Sequence, residues 1–211
     1  YTLPLLHDWS GGGSSFSERS GWLLELEQRD GTSGYGDCAP LPAHGTEHPP
    51  AAHAALTSAL PRLRWLTPEQ ALEQLPATTA TPAARCALEC ALLDLISRQQ
   101  GIPLHRWLHP GSTPGVRVNA SIGALDEGSP ERATTALAQG YNTLKLKIGS
   151  HDPQQEFMLL QQLCDTLPES VQLRLDANRA WDSSTAKSYL EQLNNLPIES
   201  LEEPLARPDL A

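Results

Sequence analysis

From residue 143 onward, short strand-like segments recur at a nearly fixed interval, and charge gathers toward the same end of each one. Side chains alternate across a strand with period two, so Lys145 and Lys147 share one face while Leu144, Leu146 and Ile148 take the other. Arg174, Asp176 and Asn178 repeat the arrangement against Leu173, Leu175 and Ala177, and Leu201-Glu202-Glu203-Pro204 follows. A parallel strand covered on both faces should be almost wholly apolar. Paired lysines on one strand beside an Asp/Asn pair on the next are tolerated only if they need each other, or a metal. That combination is the physical shape of an active site.

The alternation predicts strands at 116–122, 143–148, 172–177 and 198–202, separated by helices at 130–138, 153–167 and 183–193. Repeated β-α units of this length imply a parallel sheet covered by helices. Lys147 to Asp176 is 29 residues and Asp176 to Glu202 is 26, each fitting one strand-helix step, a regularity that favours a barrel. Barrels and open doubly wound sheets alike place their chemistry at the carboxyl ends of strands. The earlier residues read as α+β. A hairpin is expected from 21–27 through the turn at Asp30-Gly31 into 35–38. A helix is expected over 82–100, with Thr81 as cap, Pro82 in the first position and Gly101 ending it. Its Leu88, Ala91, Leu92, Leu95 and Ile96 form a core face. Ser10-Gly11-Gly12-Gly13-Ser14-Ser15 is too small and polar to pack and reads as a flexible loop or a mobile lid. The domains are therefore set at 1–113, α+β, and 114–211, β/α.

With 39% apolar and 19% charged residues over 211 positions, the chain can bury a core. A formal net charge of −10 argues against nucleic acid as a partner, and no apolar run is long enough to span a bilayer. A small molecule is the expected partner. Cys38, Cys86, Cys90 and Cys164 show no zinc spacing and are expected to be reduced core thiols. With no secretory leader visible, the location expected is the cytoplasm. His44/His48 and His105/His109 have helical ligand spacing but lack a matching carboxylate motif, so they read as surface or structural residues. Trp107 and Trp181 read as packing anchors.

Five local patterns occur in one order along the chain: Gly36-Asp37-Cys38-Ala39-Pro40-Leu41-Pro42, Ala91-Leu92-Leu93-Asp94-Leu95 with its exit Gly101-Ile102-Pro103-Leu104, Lys145-Leu146-Lys147, Arg174-Leu175-Asp176-Ala177-Asn178, and Glu202-Glu203-Pro204. Together they resemble the enolase superfamily, in the branch of muconate cycloisomerases, dipeptide epimerases and o-succinylbenzoate synthases. The run Arg174 to Trp181 is similar to the proteobacterial synthases, as is the arginine in Ser17-Glu18-Arg19-Ser20-Gly21. The resemblance implies an α+β capping domain followed by the first half of a (β/α)8 TIM-like barrel. It further implies Mg2+ as cofactor and a small carboxylate as substrate. By position, Lys147 corresponds to the acid/base that removes the proton α to the carboxylate, and Lys145 to its electrostatic companion. Asp176 and Glu202 correspond to two of three metal ligands, and Arg19, Arg174 and Asn178 to substrate-binding or supporting positions. Strand parity independently prefers Glu202 over Glu203, grouping it with Ser200 and Ile198.

The chemistry explains the residue types. A proton α to a carboxylate is too weakly acidic for an amine in water, so the dianionic enediolate needs a hard divalent cation held by oxygen ligands. Neighbouring positive charge favours a neutral Lys147 near the operating pH. In a synthase the same lysine would protonate the departing hydroxyl, completing a dehydration in menaquinone synthesis. In an epimerase or N-acylamino acid racemase of the same superfamily, a second lysine on a later strand would complete a 1,1-proton transfer. Taken singly, a Lys-x-Lys strand is a solvated edge and a strand-end carboxylate caps the next helix; their convergence at one barrel mouth carries the functional reading. Only four barrel strands are expected here, so the resemblance assigns the third metal ligand and the second lysine to a missing half of the barrel. A non-catalytic module derived from the fold is the contrasting possibility.

Overall fold

A computed structural model describes residues 1–11, 14–77 and 80–206. The chain divides into two compact units, Tyr1–Pro114 and Gly115–Ala211.

The first unit opens with a hairpin absent from the expectations above. Strand β1 (Thr2–Gly11) pairs antiparallel with β2 (Ser14–Ser20), Ser10 opposite Ser15 and Gly11 opposite Ser14. The expected loop at 10–15 is thus the closing end of two strands, with Gly12 and Gly13 outside the described residues. Small polar residues have poor strand propensity, yet this end carries a short ladder of its own, Trp9↔Phe16 to Gly11↔Ser14, offset by an irregularity from the one that pairs Thr2 to Pro4 with Glu18 to Ser20. The expected hairpin follows as β3 (Trp22–Glu27) and β4 (Ser33–Cys38), in unbroken register from Trp22↔Cys38 to Glu27↔Ser33.

Helix α3 (Pro82–Gln99) packs against this hairpin, helices α1 (Pro49–Leu63) and α2 (Pro68–Glu73) pack against α3, and a short α4 (Leu104–Leu108) follows. Helix α3 buries Leu88, Ala91, Leu92, Leu95 and Ile96, as its periodicity requires. Backbone contact with β4 is close: a Cβ on Gly36 would overlap the Ala87 carbonyl oxygen, and one on Gly34 would overlap that of Ala91. Thr81 does not cap α3. The side chain of Glu47 does so instead, accepting from Ala84 N at 2.8 Å and Ala83 N at 3.0 Å, because a carboxylate both accepts from several orphan amides and suits the positive helix end. Cys38 is buried, but Cys86 and Cys90 are exposed, one turn apart with sulfurs at 3.9 Å. These two are therefore not core thiols; the inward positions of α3 go to Ala84, Ala87 and Ala91.

The second unit is a four-stranded parallel sheet, β5 (Ala120–Ala124), β6 (Thr143–Lys147), β7 (Gln172–Asp176) and β8 (Ile198–Glu202), in sequential order. Helices α5 (Ser129–Ala138), α6 (Pro153–Thr166) and α7 (Ser183–Leu193) connect the strands. Asp152 caps α6 through the amides of Gln154 and Gln155, and Asp182 caps α7 through that of Thr185. The first strand starts four residues later than expected. Val116 and Val118 alternate as strand residues would, yet are 85% and 61% exposed, without the partner that makes β-branched residues a strand.

Leu144, Leu146, Leu173 and Leu175 are fully buried and form the core with Leu160, Leu163 and Tyr189 from the helices. The faces of β6 and β7 are therefore those that period two assigns. Strand β8 departs from them. Leu173 pairs with Ile198 but Arg174 with Ser200, so Glu199 is an extra, bulged residue. Ile198 and Leu201 pack toward the core while Ser200 and Glu202 match Arg174 and Asp176. The simple parity that grouped Ile198 with Glu202 is thus broken at Glu199, although Glu202 still faces with Asp176.

Candidate active site

The carboxyl ends of β6, β7 and β8 bring four of the candidate residues together. Lys147 pairs in register with Asp176, and Asp176 with Glu202; Lys145 pairs with Arg174, one step earlier. The ladder continues past the strand ends, Ile148 N donating to Asp176 O at 2.9 Å and Ala177 N to Glu202 O at 3.1 Å. Backbone geometry therefore holds these positions in one row.

Asp176 is the buried member, its side chain 7% exposed. Its Oδ1 accepts from Asn178 N at 3.1 Å and from Asn178 Nδ2 at 2.9 Å, and its Oδ2 meets Lys145 Nζ at 3.0 Å. Lys145 Nζ also donates to Glu202 Oε2. One ammonium therefore bridges two carboxylates on neighbouring strands. Burial pulls the Lys145 pKa down, but hydrogen bonds and charge from Glu202 and Asp176 outweigh it, and the group is held above its ordinary value. The sequence reading had each lysine disfavouring the other's charge; for Lys145 the two carboxylates prevail.

Asn178 reaches Asp176 because its backbone is left-handed, φ 45°, and Arg179 (φ 65°) and Glu203 (φ 42°) share that region. Among the described residues these are the non-glycine positions with positive φ, and all three lie in the turns after β7 and β8, where strain marks functional loops. The turns are tied to each other: Arg179 N donates to Glu203 O at 2.6 Å, and its guanidinium pairs with the Glu203 carboxylate at 2.8 Å.

Arg174 is engaged below this row. Its Nε donates to Glu199 Oε2 at 2.8 Å and a terminal nitrogen to Asn119 Oδ1 at 3.2 Å, so it fastens the side chain of the bulged residue. Arg19 lies in the first unit, where its guanidinium donates to the carbonyls of Ala39 and Pro40, the latter at 2.6 Å.

The donor set suits magnesium. Two carboxylates project from adjacent strands toward one positive group, and such oxygen ligands are the hard donors this cation takes, usually with one or two protein carboxylates and several waters. Among the described residues no group of three or more His, Cys, Asp or Glu forms a metal cluster. A recess of about 1050 Å³ in the first unit, lined by Leu60, Trp65, Leu92 and Leu95, contains none of the candidate residues.

Sequence reasoning missed Glu156 and Arg132. Glu156 is fully buried, and its Oε1 accepts from Gly149 N at 2.7 Å and Ser150 N at 3.2 Å. Burial pushes its carboxyl up, opposed by those amides and by His151. An acidic residue in a first helical turn ordinarily reads as a solvated partner of the helix dipole, which concealed it. Arg132 closes the end of β5 by donating to Ile122 O at 2.7 Å and Ala124 O at 2.6 Å.

A parallel β/α sheet with lysines and carboxylates at its carboxyl end defines a class, and residues 129–211 match the family described as Enolase C-terminal domain-like. The chain is similar to enolase-superfamily enzymes over nearly its whole length. It is 33% identical to an o-succinylbenzoate synthase of Thermosynechococcus vestitus, over 97% of this chain and 59% of that one. A hydrophobic dipeptide epimerase of Citrifermentans bemidjiense is 35% identical over 89% of this chain and 53% of its own. The solved dipeptide epimerase of Methylococcus capsulatus, complexed with Mg and the dipeptide L-Arg-D-Lys, superposes with a TM-score of 0.82 at 31% identity, covering 97% of this chain and 59% of that one. The chain thus spans little more than half the length of these relatives.

Proposed function

We propose that this chain supplies the first half-site of a magnesium-dependent enzyme that removes a proton α to a carboxylate. Tyr1–Pro114 serves as the capping domain of that enzyme, and the second unit as the first half of its (β/α)8 barrel. The observation that carries the reading is the row Lys147, Asp176 and Glu202 on three adjacent strands, with Lys145 bridging the two carboxylates. Lys147 is the acid/base that takes the proton. Asp176 and Glu202 hold the magnesium, which when bound lowers the energy of the dianionic enediolate. Asn178 fixes the Asp176 carboxylate from one side, leaving its other oxygen toward the cation position. The remaining barrel strands supply the third carboxylate and, in an epimerase, the second lysine.

Two outcomes of the same first step are compatible with this half-site. The run from Arg174 to Trp181 favours dehydration of a cyclohexadiene carboxylate, as does the synthase of Thermosynechococcus vestitus. The relatives named dipeptide epimerases favour 1,1-proton transfer on a dipeptide or N-acyl amino acid. The test uses the full-length gene product with Mg2+ in D2O, each substrate class in turn, and the K147A variant. Deuterium in both α-epimers identifies the epimerase; loss of water without epimerisation identifies the lyase. No exchange and no water loss with either class, together with no Mg2+-dependent rise in melting temperature, would sink the catalytic reading.

A further inference from the structure

Two buried polar side-chain atoms among the described residues have no hydrogen-bond partner, Glu156 Oε2 and Tyr189 Oη. Both belong to the second unit, both side chains are essentially inaccessible, and the Glu156 charge is felt at Tyr189. A buried carboxylate with one idle oxygen is costly, and an apolar residue of similar size would pack the same space at lower cost. Packing therefore does not account for Glu156.

Its other oxygen points to what does. Oε1 takes the amides of Gly149 and Ser150, the first residues of the turn that leaves β6 directly after Lys147-Ile148. That turn has little freedom of its own. Gly149 sits at φ 87°, and a Cβ there would overlap Ala180 and lie 3.2 Å from the Ala177 carbonyl oxygen. The β6 turn is thereby pressed against the β7 turn. Trp181 in the β7 turn stacks on Tyr189 at 4.4 Å, closing a circuit back toward Glu156. The turn after β8 joins it, since Trp181 N donates to Pro204 O at 3.1 Å and Ala206 N to Trp181 O at 2.8 Å.

We propose that Glu156 is a positioning residue for Lys147: its carboxylate anchors the turn after β6 from within the core and so sets the approach of the lysine to the substrate carbon. This rests on the functional reading above, in which Lys147 is the acid/base. The geometry makes the position of the acceptor oxygen, rather than its charge, the required property.

Two variants of the full-length protein separate those properties. E156D keeps the charge but withdraws the oxygen by one methylene; E156Q keeps an oxygen at the same reach and removes the charge. A misplacement of about 1 Å costs on the order of 100-fold in rate. E156D should therefore lower kcat for α-proton exchange by about 10- to 100-fold with KM within about twofold, and deprotect the peptide containing residues 149–152 in hydrogen exchange while β6 stays protected. E156Q should keep kcat within about threefold of the wild type and keep that peptide protected. The reverse order, with E156D active and E156Q impaired, overturns the inference, as does unchanged kcat in both. A wild-type protein that exchanges no α-proton fails the functional reading first and is seen before any variant is made. An active wild type with indifferent variants fails this inference alone.

Discussion

At the scale of single residues, the half-site is a contest between charge and burial. Asp176 is nearly inaccessible, and Lys145 and Asn178 each engage one of its carboxylate oxygens. Glu156, equally buried, has two amides and an idle oxygen, and burial wins: its carboxyl sits above the ordinary value of 4.5. The folded state then binds this proton more tightly than the unfolded chain does. The associated stability is fully present below pH 4.5 and is lost as pH rises through the elevated folded value. His151 opposes the shift by favouring the charged form, and Tyr189 carries the neighbouring hydroxyl. Replacing Glu156 by Gln removes the slope. The difference in melting temperature, E156Q minus wild type, should grow as pH rises from 4 to 7; a difference independent of pH would show that Glu156 is not titrating in that range.

At the scale of elements, the contacts that hold helix to sheet are as sharp as those of the site. Gly36 lets β4 approach the backbone of α3 so closely that a methyl group has no space beside the Ala87 carbonyl. G36A should cost about 3 kcal/mol through overpacking, read as a drop in the urea midpoint at unchanged slope. E47A should cost about 2 kcal/mol, because it orphans the amides of Ala83 and Ala84 at the start of α3. Residual stability equal to wild type in either variant would remove the corresponding contact from the account. These elements also show what the sequence made legible. Strands β6 and β7 were readable because their alternation is unbroken and both apolar faces are buried. Thr81 looked like a cap by local rules, whereas the real one arrives from Glu47, 36 residues from the amide it serves. Strand β5 was placed early because Val116 and Val118 mimic the pattern without a partner. The hairpin at the start was missed because pairing partners, rather than propensity, make it a strand. The row of Lys147, Asp176 and Glu202 was visible in the sequence; the turn geometry that supports it, Asn178 and Glu156 included, depends on contacts between elements.

At the scale of the whole chain, the exposed feature is the sheet of the second unit. Strands β5 and β8 each pair on one side only among the described residues, and Met158 and Leu190 stand 56% and 47% exposed on its helices. Unpaired edges of this kind recruit other chains. The 211-residue polypeptide expressed alone should therefore self-associate at micromolar concentration, which light scattering after size exclusion would detect. A monodisperse monomer of 22.9 kDa would show that those edges are covered by the chain itself. No helix among the described residues is long and apolar enough to cross a membrane.

The extra residue at Glu199 gives β8 something like a reading frame. Upstream of it the strand is in phase with the core, through Ile198; downstream it is in phase with the polar row, through Ser200 and Glu202. The bulge thus absorbs one residue three positions before a proposed metal ligand, and the side chain it leaves over is held by Arg174 rather than by anything in the row. Losing that one residue would leave Ile198 followed directly by Ser200, and plain alternation would still keep Ile198 with the core and Ser200 and Glu202 with the polar row. The frame is consequently sensitive beyond the bulge rather than at it: an insertion between Ser200 and Glu202 would turn Glu202 inward, whereas a substitution at Glu199 would leave every later face unchanged.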